Sequence, residues 1–191
     1  MKTSTAGRKA ITEREGVRLE SYKDSVGIRT IGVGHTSAAG APVVKVGMTI
    51  TAKEADDILS RDLTVFEAAV NDAVTVPLKQ GEFDALVSLA FNIGSGAFKK
   101  STLVKELNKG NRYGAANQFL VWDKVSVGGK KKALKGLTNR RKAERDQFLN
   151  AKTSGLPEPK PMPNGVNPAK SANWLAALIT TILSLFRSPP K

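Results

Sequence analysis

Apolar residues recur along this chain at helical spacing, and one alternating stretch near the start breaks the pattern. Residues 8–15 hold few helix breakers and end at Gly16. Glycine just past a helix enters the left-handed conformation without a Cβ penalty, so this segment reads as a helix with Glu15 in its last turn. Alternating, β-prone sequence follows. Tyr22, Lys23 and Asp24 form one strand, Ser25-Val26-Gly27 a turn, and residues 28–33 the return strand. A turn centred near Gly27 would set Asp24 opposite Thr30. With a period of two, Thr30 then shares an open face with Gly32 and Gly34, and Ile31 and Val33 point the other way.

Helical periodicity resumes after a small-residue loop over 37–42. Thr51-Ala52-Lys53-Glu54 is a capping box, in which hydroxyl and carboxylate serve each other's backbone amides. The helix it opens runs to about Asn71 and carries Ile58, Leu59, Leu63, Phe66 and Val70 as one stripe. Pro77 breaks the pattern. Residues 78–93 read as a helix with an apolar face through Phe83, Leu86, Val87, Ala90 and Phe91, closed by Gly94-Ser95-Gly96. Ser101 caps a helix that stops at Gly110, and another spans 112–122. Gly128-Gly129 interrupts again, and Thr138 caps a last helix to about Asn150. Several helices and one small sheet predict an α+β domain, mostly helical, over 1–151.

Composition changes at 152. Four prolines between Leu156 and Pro163 predict an extended, semi-rigid linker over 152–170. Residues 171–191 then predict a C-terminal apolar, amphipathic helix, with Trp174, Leu175, Leu178, Ile179, Ile182, Leu183, Leu185 and Phe186 on a wide apolar face. Its uncharged run from Ala172 to Phe186 is 15 residues, short of the roughly 20 that span a bilayer. Flanked by Lys170, Arg187 and Lys191, it suits an anionic membrane interface, or a groove on the domain itself.

The net charge of +13 points to a polyanionic partner, whether nucleic acid, anionic lipid or cell wall. The basic run from Lys130 to Arg145 has one acid, Glu144, and lacks the interleaved aromatics and fold of a nucleic-acid binder. No nucleic-acid partner is expected. The run reads as a solvated face, or as a surface that meets anionic membrane or lipopolysaccharide. Without cysteine there is neither disulfide nor thiol chemistry, and a single histidine disfavours a serine–histidine triad or a histidine metal site. The sequence MKTSTAGRKA has no apolar core and is not a signal peptide.

The candidate chemistry lies in the first 30 residues. The helix dipole's negative end and burial in a cleft would both raise the pKa of Glu15, as a general acid requires. Asp24 and Thr30 add a second carboxylate and a hydroxyl. Two carboxylates facing one cleft, one protonated and one ionised, fit glycoside hydrolysis. Surface carboxylates beside a tight turn give the same spacing.

The pattern of Glu15, eight residues, Asp24, five residues and Thr30 resembles the catalytic pattern of the phage-type lysozymes, the family of the T4 and P22 lysozymes. So do Tyr22-Lys23-Asp24, the run Thr30-Ile31-Gly32-Val33-Gly34-His35-Thr36, Ala90-Phe91-Asn92-Ile93-Gly94 and Gly136-Leu137-Thr138-Asn139-Arg140-Arg141. The resemblance covers about residues 8–150. It implies a two-lobed lysozyme-like domain and an endolysin muramidase cutting the β-1,4 bond between N-acetylmuramic acid and N-acetylglucosamine in peptidoglycan. It implies Glu15 as acid, Asp24 as second carboxylate and Thr30 as water-orienting hydroxyl, with inversion at the anomeric carbon. Gly32, His35, Phe91, Asn92 and Arg140 become substrate-binding candidates; His35 also reads as structural and Phe91 as core. Neither metal nor organic cofactor is required. Made in the host cytoplasm, such an enzyme acts in the periplasm, commonly after a holin opens the inner membrane. Two other readings stay open: a lytic transglycosylase closing a 1,6-anhydro ring, and a cationic membrane-disrupting, envelope-binding protein.

Overall fold

The computed structural model describes residues 1–127 and 130–150. The linker and apolar helix expected over 152–191 lie outside the described residues. Helix α1 (Thr5–Glu15) starts at Ser4, whose side chain accepts from the Gly7 amide, and ends at Gly16, which has φ +79°. A three-stranded antiparallel sheet follows in the order β1 (Arg18–Lys23), β2 (Arg29–Gly32), β3 (His35–Thr36). The outer edge of β1 is paired by the segment around Met48 to Ile50, through Ser21 N to Met48 O and Ile50 N to Leu19 O, both 2.9 Å.

The capping box at Thr51 and Glu54 forms as expected and opens α2 (Ala52–Asp62). The expected helix to Asn71 is two consecutive helices, α2 and α3 (Thr64–Ala73). The break at Leu63 has a local cause. The Thr64 hydroxyl donates to the Arg61 carbonyl at 2.7 Å, and a side chain entering the backbone ladder bends a helix. Helix α2 lies against the sheet, while α3 lies against α4 (Gln80–Ile93). The pair therefore links the small sheet-bearing lobe to the helical one.

Helix α4 is apolar on more than the one face expected. Phe83, Ala85, Leu86, Val87, Leu89 and Ala90 are all fully buried, because α1, α3, α5 (Ser95–Lys100) and α8 (Lys135–Leu149) surround it. A helix apolar all round is a buried one. The α5 turn occupies what the sequence read as a break at Gly94-Ser95-Gly96. Ser101 caps α6 (Thr102–Asn108) as expected, and α7 (Arg112–Phe119) continues in a 3₁₀ turn over Leu120–Trp122.

Two expectations fail at the end of the domain. The interruption at Gly128-Gly129 separates two strands, β4 (Lys124–Val127) and β5 (Lys130–Ala133), which pair antiparallel in a second small sheet. Thr138 does not cap α8, which begins at Lys135. Its hydroxyl donates to Asp123 Oδ2 at 2.9 Å instead, and Leu134 N to Asp123 O at 3.0 Å closes the same hairpin base.

One close crossing fixes α1. A Cβ on Gly7 would stand 2.6 Å from Asp84 Cγ and 2.8 Å from Thr3 Cγ2. Asp84 cannot retreat, because Ser4 holds it through amide and hydroxyl and Gln80 donates to it at 2.8 Å. Gly7→Ala is therefore expected to lower stability by about 1–3 kcal/mol, the usual cost of overpacking, measurable by denaturant unfolding.

Candidate active site

Glu15 closes α1 with its side chain only 4% exposed. Arg140 of α8 donates Nη1 to Glu15 Oε1, while Glu15 Oε2 is buried with no partner among the described residues. Since Oε1 is already accepting a hydrogen bond, a proton on this carboxyl belongs on Oε2. Burial pushes the Glu15 pKa up, and the Arg140 charge and hydrogen bond pull it down; burial wins and the value is raised. For Arg140 burial acts downward, but Glu15 and Glu144 outweigh it and raise its value.

The partners of Arg140 complete a buried cluster. Its Nε donates to Glu144 Oε1 at 2.9 Å and its Nη2 to the Ser88 carbonyl at 3.3 Å. Ser88 Oγ donates to Glu144 Oε1 at 2.7 Å and accepts from Arg14 Nη1 at 3.0 Å. Arg141 faces the same carboxylate, with Nη2 at 3.2 Å from Oε1 and Nε at 3.1 Å from Oε2. The Nε contact is an ion pair without an aligned hydrogen bond. Burial lowers the Arg141 pKa to about 10. Arg140 and Arg141 thus leave the basic surface face that the sequence implied. Glu144, Ser88 and Arg14 are site residues that sequence reasoning missed. The spacing of Arg140, Arg141 and Glu144 on one helix signals ion pairing, but it does not reveal burial.

Asp24 lies just past β1. Its Oδ1 accepts from the Val26 amide at 3.0 Å and the Ile28 amide at 2.8 Å, which leaves Oδ2 without a protein hydrogen bond among the described residues. The register differs from expectation. Thr30 pairs with Tyr22, and Lys23 with Arg29. Asp24 stands opposite Ile28, not Thr30, because its own side chain closes the turn. Asp24 and Thr30 still meet through one acceptor: the Ile28 carbonyl takes the Asp24 amide at 2.9 Å and the Thr30 hydroxyl at 3.1 Å. Thr30 is 3% exposed. Tyr22 stands nearby, its pKa raised first by burial and then by Asp24 and Glu15, against the lowering charge of Arg18, whose guanidinium lies 4.3 Å over the ring.

The expected open face of β2 is not open. Gly32 is buried, with φ +62°, and its missing Cβ would face Ile50 Cδ1 at 3.6 Å and Ala55. The 48–50 segment and α2 cover that side. His35 is 1% exposed, with Nδ1 at 2.8 Å from Asp62 Oδ2 and Nε2 at 2.9 Å from the Pro42 carbonyl. Both ring nitrogens are occupied: Nδ1 joins β3 to α2 and Nε2 holds the loop at Pro42, which is the structural one of the two readings of His35. Half-buried Phe91 meets Phe66 edge to face with centroids 5.2 Å apart, packed against the core. Asn92 is buried and accepts from Arg141 at 3.1 Å, so it borders the charged cluster.

The raised Glu15 pKa carries a stability consequence. The folded state holds this proton more tightly than the unfolded chain. Its contribution is fully present below the unfolded carboxyl pKa, roughly 4.3, and is lost as pH rises through the folded value. Glu15→Gln is therefore expected to unfold at the same temperature as wild type in acid and at a progressively higher relative temperature as pH rises, by thermal melts across pH.

A family model for phage lysozyme matches residues 12–144. The endolysin of Salmonella phage P22 is 45% identical over 150 residues, covering 78% of this chain and 99% of that protein. The solved endolysin from Escherichia coli O157:H7 phage FAHEc1 is 47% identical with a TM-score of 0.73, covering 81% of this chain and 98% of that one. The muramidase domain of SpmX from Asticaccaulis excentricus is 37% identical with a TM-score of 0.72, covering 78% of this chain and 98% of that one. The chain belongs to the phage lysozyme family and is a glycoside hydrolase of the bacterial cell wall.

Proposed function

We propose that Glu15, Asp24 and Thr30 carry the hydrolysis of the β-1,4 bond between N-acetylmuramic acid and N-acetylglucosamine. Glu15 delivers the proton on Oε2 to the leaving glycosidic oxygen. Asp24 Oδ2 takes one proton from water as its oxygen attacks, and the Thr30 hydroxyl, donating to Ile28, accepts a hydrogen bond from the O–H that the attacking oxygen keeps. The water attacks the anomeric carbon from the opposite face and inverts it. The observation that carries this reading is the pair of oxygens without a protein hydrogen-bond partner among the described residues, Glu15 Oε2 and Asp24 Oδ2, on a buried acid and a turn-locked carboxylate.

Glu15→Gln is expected to slow the clearing of outer-membrane-stripped Gram-negative cells by about 10²–10⁴-fold, the range of general acid catalysis. Products should carry ordinary reducing ends. A 1,6-anhydro product would mean a transglycosylase, and clearing by Glu15→Gln at the wild-type rate would end the acid assignment.

The envelope-facing charge, in this reading, comes from Lys130, Lys131 and Lys132 on β5 with Lys135 and Lys142, all exposed. Arg140 and Arg141 are excluded by burial. The linker and apolar segment over 152–191 serve delivery at an anionic membrane or lipopolysaccharide, and the enzyme reaches the periplasm through a separate pore-forming protein. Among the described residues no helix is long and apolar enough to cross a membrane. Truncation after Gly155 is expected to leave clearing of stripped cells intact and to reduce killing of intact cells and leakage from anionic vesicles. Equal killing and leakage by both chains would remove the delivery role.

A further inference from the structure

Glu144 is a fully buried carboxylate that no step of the hydrolysis uses. Its Oε1 collects three donors, from Ser88, Arg140 and Arg141. Three nitrogens of Arg140 are each committed to a different partner: Nε to Glu144, Nη1 to Glu15 and Nη2 to the Ser88 carbonyl. A guanidinium is planar with its donors in a rigid fork, so three such contacts fix both its plane and its position. Without the Nε contact, the group could turn about its last side-chain bond and leave Glu15 Oε1.

We propose that Glu144 is a positioning residue for the hydrolysis: through Arg140 Nε it holds the guanidinium on Glu15 Oε1 and so leaves Oε2 to carry the proton. This rests on the reading of Glu15 as the acid. Charge supports the same assignment. The groups that face Glu15 are Arg140, Arg141 and Glu144 from α8, with Arg14 beside it on α1 and Tyr22 from β1. Among the described residues Glu144 is the anion whose charge bears most on Glu15. It offsets guanidinium charge that would otherwise favour ionised Glu15, and its own effect on Glu15 is to hold the proton. Ser88 belongs to the same device, since its hydroxyl donates to Glu144 while accepting from Arg14.

The test is the pH dependence of kcat and KM on solubilised peptidoglycan fragments, with the full chain. Glu144→Gln removes the offsetting charge, so Glu15 should lose its proton at lower pH. The alkaline limb of kcat is expected to move towards acid by about one unit, which is tenfold in the protonated fraction on that limb, with KM within about twofold of wild type. A buried counterion that served stability alone would lower the melting temperature and leave limb and kcat per folded molecule unchanged; that result overturns the proposal. If Glu144→Gln does not fold, Glu144→Asp decides. It keeps the charge but draws it back by one methylene, out of reach of Arg140 Nε and Ser88 Oγ together. A lower kcat with the limb near wild type is expected, and a wild-type kcat overturns the proposal. Glu15→Gln run alongside separates the two readings. If it retains activity, the acid assignment fails; if it is inactive while Glu144→Gln keeps the wild-type limb and kcat, only the role of Glu144 falls.

Discussion

The interaction on which the rest depends is the buried meeting of Glu15, Arg140, Glu144 and Arg141 between α1, α4 and α8. Burying isolated charges is costly, and a buried ion pair gains back its desolvation only where geometry and hydrogen bonds are complete. Here Ser88 and its carbonyl, both from the fully buried middle of α4, supply one donor and one acceptor, while Arg141 Nε and Nη1, Glu144 Oε2 and Glu15 Oε2 have no hydrogen-bond partner among the described residues. That explains why α4 admits a serine among Leu86, Val87, Leu89 and Ala90. The cluster ties three helices at one point, and it gives Glu15 a fixed partner on one oxygen and none on the other.

The small lobe uses backbone chemistry instead. Asp24 closes its own turn, and Ile28 O collects both the Asp24 amide and the Thr30 hydroxyl. With the Val26 amide on Asp24, the second carboxylate and the hydroxyl are held within the local stretch from Asp24 to Thr30. His35 anchors the sheet to α2 through Asp62 and to the following loop through the Pro42 carbonyl. Burial raises the Asp62 pKa, against the opposing pull of His35. Arg8 adds a two-point bond to Asp56, at 2.8 and 3.0 Å, so α1 is clamped to α2 as well as to α4.

Local signals were legible where the physics is local. The stop at Gly16, the capping box at Thr51 and the cap at Ser101 depend on a few consecutive residues, and each forms where the sequence places it. The existence of the first hairpin was equally readable, but its register was not, because a side chain of Asp24 took the place of a backbone partner. The second hairpin escaped notice because Lys130, Lys131 and Lys132 show no apolar alternation. Its pairing with Lys124–Val127 leaves lysines exposed along one strand. The basic run misled for a related reason. Charge density along a sequence says nothing of direction, and two of its arginines turn inward to meet carboxylates from a helix 125 residues away and from their own next turn. Gly32 reads as facing a ligand in the sequence because the covering segments, α2 and residues 48–50, come later in the chain.

Glu15 belongs to the first helix and its partner Arg140 to the last. A chain leaving the ribosome therefore carries Glu15 long before Arg140 exists, and the contact between them closes the largest loop that the site requires. Such non-local contacts form late, since loop closure must be met before they stabilise anything. Synthesis of the complete domain is thus a precondition of its assembled site, and a polypeptide interrupted anywhere ahead of α8 holds the carboxyl without the group that orients it.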